Sequence, residues 1–218
     1  QTISDCVKTF NFHLMFTTLL NFCANDLSAF YFDIRKDAIY CDGKKSKIRR
    51  SSRTLLDIIF NYLVRWLAPS LSFTTEEAWK ARGNKTSIHL EDFLHTPADY
   101  KNLNLNEDWL ILKQIRKVIT GALEKKRAEK IIGSSLEAHV DIYAESSKIK
   151  KIKNYAFDEM SITSSFSLHE INDDTQGFSL EEISNVKILV SKTSGQKCQR
   201  CWKYKKKLIR EEICDRCE

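Results

Sequence analysis

Glycine and proline are scarce in this chain of 218 residues, with six of the first and two of the second. Turn-rich all-β folds draw heavily on both, so their scarcity turns the reading away from that class and toward long helices. No apolar run reaches the roughly 20 residues that a membrane span needs, and no membrane partner is expected. The pattern of a signal peptide is also missing. Gln1 opens almost directly onto helical periodicity, and we expect a fragment cut from a longer chain. Charge is only mildly one-sided, at +6 with a pI near 8.9. It points to a polyanionic partner because the basic residues cluster. The length allows one large domain, or a main domain with an appendage. Seven cysteines would suggest a disulfide framework in a short secreted chain. Four of them stand in two CxxC pairs, which points to a reducing cytoplasm and a bound metal instead.

What is present is strongest between residues 53 and 79. Leu55, Leu56, Ile59, Phe60, Leu63, Val64 and Leu67 recur at three- and four-residue steps, and Ile58, Tyr62 and Trp66 widen the stripe. Such a helix is expected in the middle of a bundle with neighbours on several sides. Pro69 ends it, and Thr74 with Glu77 has the form of a capping box for the next helix. A first helix is expected over about 4–25. The aromatic and charged stretch 25–42 shows no regular period. A last long helix, capped by Asn106 or Asp108, is expected to about Lys130 with a cationic final turn that suits the helix dipole. Past Gly133 the period changes to two. LEAHVDIY (136–143) reads as a half-buried strand, followed by a lysine-rich helix (146–155) and strands at 160–171 and 186–191.

The expected architecture is therefore mainly α: a helical bundle (1–130), a small α/β domain (131–192) and a cysteine-rich knuckle (193–218). Before the central helix, GKKSKIRRSSR (43–53) carries Lys44, Lys45, Lys47, Arg49, Arg50 and Arg53 with no acid among them. It reads either as a solvated face or as an edge that neutralises nucleic-acid phosphates. His89 and His95 have no acidic or cysteine partner at metal-ligand spacing and are taken as surface or packing residues, and His139 and His169 alternate onto the solvent faces of their strands.

Cys198 and Cys201, then twelve residues, then Cys214 and Cys217 give two pairs of thiolates. Two residues between thiolates let each pair grip one ion from a tight turn, and the intervening stretch can fold back to join them. Four thiolates around one tetrahedral ion is the closed arrangement of structural Zn2+; an iron site or a redox dithiol pair is the alternative. A tail this short needs the metal to fold. Lys197, Arg200, Lys203, Lys205, Lys206, Lys207 and Arg210 surround Trp202 and Tyr204. Cations among aromatics suit single-stranded RNA, with phosphates on the charges and bases on the rings; otherwise Trp202 packs on the knuckle and the lysines confer solubility. Cys6, Cys23 and Cys41 read as small apolar residues.

With these residues set out, the chain resembles the C-terminal part of bacterial isoleucyl-tRNA synthetases. The likeness rests on DLSAFYFDIRKDAIY (26–40), LVRWLAPSLSFTTEEAW (63–79), IIGSSLEAHVDIY (131–143) and KCQRCW (197–202), in that order. It implies an anticodon-binding helical domain, a junction domain and a terminal zinc knuckle, with isoleucine tRNA as the partner and no obligate protein partner. On that basis Lys44, Lys45, Arg49 and Arg50 are expected at phosphates, and Arg200, Trp202, Lys203 and Tyr204 near bases. The other reading is a zinc-ribbon module for DNA or protein on a structural bundle. A valine, leucine or methionine relative is disfavoured by the KCQRCW tail. The His-x-Gly-His and Lys-Met-Ser-Lys-Ser motifs that handle ATP in such enzymes are absent from these residues. ATP and isoleucine would meet only a catalytic domain outside this chain. The chain by itself should therefore show no isoleucine-dependent pyrophosphate exchange.

Overall fold

The computed structural model describes residues 1–209 and 212–218, so Arg210, grouped above with the cations of the tail, lies outside the described residues. The chain divides into two compact units, Gln1–Tyr100 and Lys101–Glu218.

The first unit is helical. Helix α1 (Thr2–Lys8) and α2 (Phe12–Asn21) replace the single first helix expected from sequence. They are separated by Phe10, whose φ of 55° breaks the helical path, and Asn11 caps α2 by accepting the Leu14 N–H. From Phe22 to Phe32 the backbone is wound as a π-helix that runs directly into α3 (Asp33–Cys41). Hydrogen bonds to the fifth residue on, rather than the fourth, change the angular step between side chains. That explains why 25–42 shows no 3.6-residue period although it is helical throughout most of its length.

Helix α4 (Lys47–Leu67) begins at Ser46, whose hydroxyl accepts the Arg49 N–H at 3.3 Å. It is less enclosed than its broad apolar stripe suggests. Among its apolar residues only Val64 is buried, while Leu55 is 40 % exposed and Leu63, Trp66 and Leu67 are half-covered by the Ile3, Cys6, Met15 and Leu19 cluster. The other side of its C-terminal end meets Trp79 of α5 (Ser72–Ala81) and Ile88. A buried cation sits in this second cluster. Arg65 donates to Glu91 Oε2 at 2.9 Å and to Asn61, and lies 4.8 Å from the Trp79 ring. Helix α5 starts at Ser72, two residues before Thr74, so the expected capping box lies inside the helix; Glu77 is an ordinary helical residue and Glu76 instead accepts the Ser87 hydroxyl and the Ile88 N–H.

The second unit is built on α6 (Leu103–Ala128), which is capped by Asn102 rather than by Asn106 or Asp108. From sequence this helix is grouped with those before it. In the structure Leu112, Ile115, Val118, Ile119, Ala122 and Leu123 share one core with the sheet that follows. Four strands make that sheet in the order β2-β1-β4-β3, with β1 (Ala138–Ala144) parallel to β2 (Ser165–Glu170) and antiparallel to β4 (Ile183–Lys192). Short helices α7 (Ser146–Ile152) and α8 (Phe157–Met160) make the crossover that a parallel pair requires. Strand β3 (Phe178–Leu180), in a stretch with no clear period, closes the edge against α6. There the Phe178 ring packs against Gly121, where a Cβ would stand 2.8 Å from the ring and oblige it to shift. Ala138, Val140, Ile142 and Ala144 face the core and His139, Asp141 and Tyr143 the opposite side, as the two-residue period predicts. Among the described residues, no helix is long and apolar enough to cross a membrane.

Ile142 is fully buried on the central strand pair. Ile142→Ala should cost about 2–5 kcal/mol, read as a lower urea midpoint for this unit and faster amide exchange in β1 and β4.

Candidate metal centre and nucleic-acid interface

After β4 the chain turns through Gly195, at φ 121°, into a hairpin of β5 (Gln196–Lys197) and β6 (Tyr204–Lys205). A Cβ at Gly195 would stand 2.5 Å from the Lys205 carbonyl oxygen, so only glycine permits this close approach. The hairpin tip holds the first cysteine pair. The Cys198 N–H donates to the Lys203 carbonyl at 3.0 Å and the Trp202 N–H to the Cys198 carbonyl at 2.9 Å, closing the tight turn that two intervening residues allow. The second pair returns on the far side, where the Cys214 N–H donates to Cys198 Sγ at 3.3 Å and Cys217 ends a short 3-10 turn (Asp215–Cys217).

All four cysteines are buried, and their sulfurs lie within 4.8 Å of one another. Cys201 and Cys214 have Sγ atoms 3.8 Å apart. Four sulfurs about 2.3 Å from a tetrahedral zinc stand about 3.8 Å apart, so the donor set fits such an ion. The same spacing is far beyond the ~2.05 Å of a disulfide, and all seven cysteines are free thiols. Electrostatics also fit. For Cys198, burial opposes ionisation, but the N–H groups of Cys201, Cys214 and Arg200 outweigh it and lower its pKa to about 6. For Cys201, burial and the neighbouring sulfurs raise it to about 11, and Cys217 is raised for the same reasons. Cys198 is thus set to ionise readily while Cys201 and Cys217 resist it; a bound metal would reverse that resistance.

The residues expected at nucleic acid fall into different settings. Trp202 is 58 % exposed, its backbone at φ 62°, with Lys197 Nζ 5.3 Å from the ring centroid. One guanidinium nitrogen of Arg200 donates to the Cys217 carbonyl at 3.4 Å. Tyr204 is half-buried and its N–H donates to Ser164 Oγ at 2.6 Å. Lys203 is buried, and its ammonium meets Asp158 Oδ2 at 2.9 Å. Its charge fastens the knuckle to α8. In the first unit Lys44 and Lys45 are exposed in the turn before α4, while Arg49 donates to the Asp42 carbonyl at 2.6 Å and shapes that turn. Arg50 lines a surface hollow of about 620 Å3 together with Arg53, Phe60, Asp57 and Arg82. Arg82, paired with Asp57 and lying 5.5 Å from the Phe60 ring, gave no sign of itself in sequence, since only the packing of α5 on α4 brings it there. Of the remaining residues, His89 meets the Ser72 carbonyl through its ring at 3.3 Å and the His95 backbone carbonyl accepts the Tyr62 hydroxyl at 3.1 Å; Cys6 and Cys41 are buried as expected, while Cys23 is only half-buried.

A helical unit is followed by a helix-backed sheet and a four-cysteine knuckle, and the family of the chain is met in the sequence itself. Residues 1–142 match the anticodon-binding domain of tRNA ligases, and the chain belongs to that family. Over 200 residues, 91 % of the chain, it is 45 % identical to the isoleucine–tRNA ligase of Pelagibacter ubique. It is 41 % identical over 94 % of its length to that of Bartonella henselae, and 40 % over 96 % to that of Ruegeria pomeroyi. The chain spans about a fifth of the length of these relatives, 21 to 22 %.

Cys198→Ser or Cys214→Ser should abolish metal retention. Elemental analysis is expected to give one metal ion per wild-type chain and none per variant, with amide protection lost in the knuckle and kept in β1 and β4.

Proposed function

We propose that this chain is the tRNA-binding C-terminal part of an isoleucine–tRNA ligase. It would serve ATP-dependent joining of isoleucine to its tRNA, the chemistry residing in a catalytic domain elsewhere in the longer protein. The observation that carries the reading is the 45 % identity to an isoleucine–tRNA ligase over 91 % of the chain, joined to membership of the anticodon-binding family. The geometry supports it in two places. On the first unit, Lys44, Lys45 and Arg50 are exposed cations that suit phosphates, while Arg49 holds the turn that presents them. On the second, an ion held by Cys198, Cys201, Cys214 and Cys217 gives the knuckle its shape. We assign it as one Zn2+, because four sulfur donors at tetrahedral spacing leave no open position for chemistry.

Such a knuckle has almost no interior, so Trp202 is left outside, a flat ring steadied by Lys197, with Arg200 and Tyr204 two residues to either side in sequence. A ring so placed suits stacking with an unpaired base of the anticodon loop, and the cations suit its phosphates. Lys203 acts by positioning, through Asp158, rather than by touching RNA. Free thiols and a thiolate-bound metal are suited to the reducing cytoplasm.

Trp202→Ala should weaken binding of isoleucine tRNA by roughly 5- to 100-fold, the worth of one stacked base, with zinc content and circular dichroism unchanged. Anisotropy titrations with isoleucine tRNA, an unrelated tRNA and duplex DNA test the assignment itself. Equal and steeply salt-dependent binding to all three would instead mark a general zinc-ribbon module, since phosphate contacts carry no sequence information.

A further inference from the structure

On the side of the sheet away from its core, His139 stands in one row with Ser165 of β2 and Ser191 of β4. The chain leaving β4 passes Lys192 and Gly195, and the hairpin returns Lys205 and Lys206 to the same row. Between them lies a cleft of about 510 Å3, within the roughly 300–1,000 Å3 of small-ligand sites. Three lysines, a histidine, a tyrosine and several hydroxyls line it, and among the described residues no carboxylate does. Among the described residues Lys205 and Lys206 make no ion pair, and Lys192 meets Glu137 only at 3.8 Å with its side chain 61 % exposed. The nearest acid along the row, Asp141, is engaged by His169 at 2.8 Å and lies 3.4 Å beyond His139.

The walls of this cleft are firmly joined. Tyr204 N–H donates to Ser164 Oγ, Ser164 in turn donates to the Leu136 carbonyl, and Lys203 is paired with Asp158 directly behind. Gly195 lets the hairpin backbone close against the Lys205 carbonyl. The cations are thus presented around a preformed concavity, unlike lysines scattered over a convex surface. Concave, hydroxyl-lined and, among the described residues, lined by no carboxylate, it offers donors and positive charge to an anion with several oxygens.

We propose that this cleft seats phosphodiester groups of the bound RNA, with Lys192, Lys205 and Lys206 as the neutralising cations and Ser191 and Ser165 as hydrogen-bond partners. The assignment rests on the tRNA-binding reading and adds to it a backbone track that leads from the sheet to the exposed Trp202. The hydroxyls and lysines fix the strand, and Trp202 takes a base; the two contributions are separable because only the first depends on salt.

The test uses the zinc-loaded full chain and isoleucine tRNA, with affinity measured across a salt series. The triple variant Lys192→Gln, Lys205→Gln, Lys206→Gln is expected to bind about tenfold or more weakly near about 0.1 M salt, and to lower the slope of log affinity against log salt by about 2. A control triple at exposed lysines elsewhere in the unit, Lys130, Lys150 and Lys153, removes equal charge and should leave the slope nearly unchanged. Ser191→Glu, which sets a carboxylate on the cleft floor, should also weaken binding while zinc content and circular dichroism stay wild-type. Unchanged affinity and slope in the cleft triple, with wild-type binding intact, overturn the seat and leave the tRNA reading standing. Equal losses in cleft and control triples also overturn it, because charge alone would then explain the effect. No binding of tRNA by the wild-type chain overturns both.

Discussion

Four sulfur atoms gathered within 4.8 Å and shut away from water are the constraint on which the C-terminal end of this protein depends. As thiolates they repel one another, by about 4 kcal/mol for a pair 4 Å apart at an effective dielectric constant near 20. As thiols they fill the centre with weakly bonding groups. A cation resolves the conflict, since each sulfur gains a bond and the negative charge is spread over the ion. The segment consequently needs almost no apolar core of its own: apart from the cysteines, Leu208 is the buried apolar residue among those described there. With so little interior, a large ring cannot be covered. Trp202 is thrust outward on a left-handed backbone, and its exposure follows from how the element is held together.

The knuckle must also be held somewhere. Lys203 emerges next to Trp202 but is drawn the other way, into a buried contact with Asp158 at the start of α8. Such a pair recovers little net free energy compared with apolar packing, yet loss of either partner strands the other, so its effect is to specify one docking position. Together with the Tyr204–Ser164 bond it makes helix α6, the sheet and the knuckle a single unit. The first unit has its own buried cation, Arg65, held by Glu91 and Asn61 against Trp79. It lies on the face of α4 toward α5, where a purely apolar stripe would be expected. In both units an ion pair fixes the relation of neighbouring elements around a small core.

Legibility from sequence followed the range of the interactions involved. The strand at β1 and its inward residues were readable because alternation is a local property, and so were the end of α4 before Pro69 and the pairing of cysteines by their spacing; the start of α4 was not, since Lys47–Arg53, read as lying before the helix, form its first turns. The break at Phe10 was hidden, because a single left-handed residue leaves the surrounding apolar pattern intact. The π-helical stretch from Phe22 to Phe32 looked irregular only against the wrong period. Helix α6 carried a clear apolar face, but nothing local says whether that face meets other helices or a sheet formed later in the chain. The role of Lys203 was likewise unreadable. Within a run of cations it looks like its neighbours, and only Asp158, 45 residues earlier, sets it apart.

By itself the sequence determined the helical character of the first hundred residues, the strand period after Gly133, and a cysteine quartet able to bind a metal. These depend on propensity, period and spacing, which act between residues a few positions apart. Tertiary structure alone decided which cations are spent on folding and which face solvent, that α6 belongs with the sheet, and that Lys192, Lys205 and Lys206 meet around one hollow. Those outcomes depend on long-range packing, because the free energy of a charged side chain is set by the groups that the whole fold brings beside it.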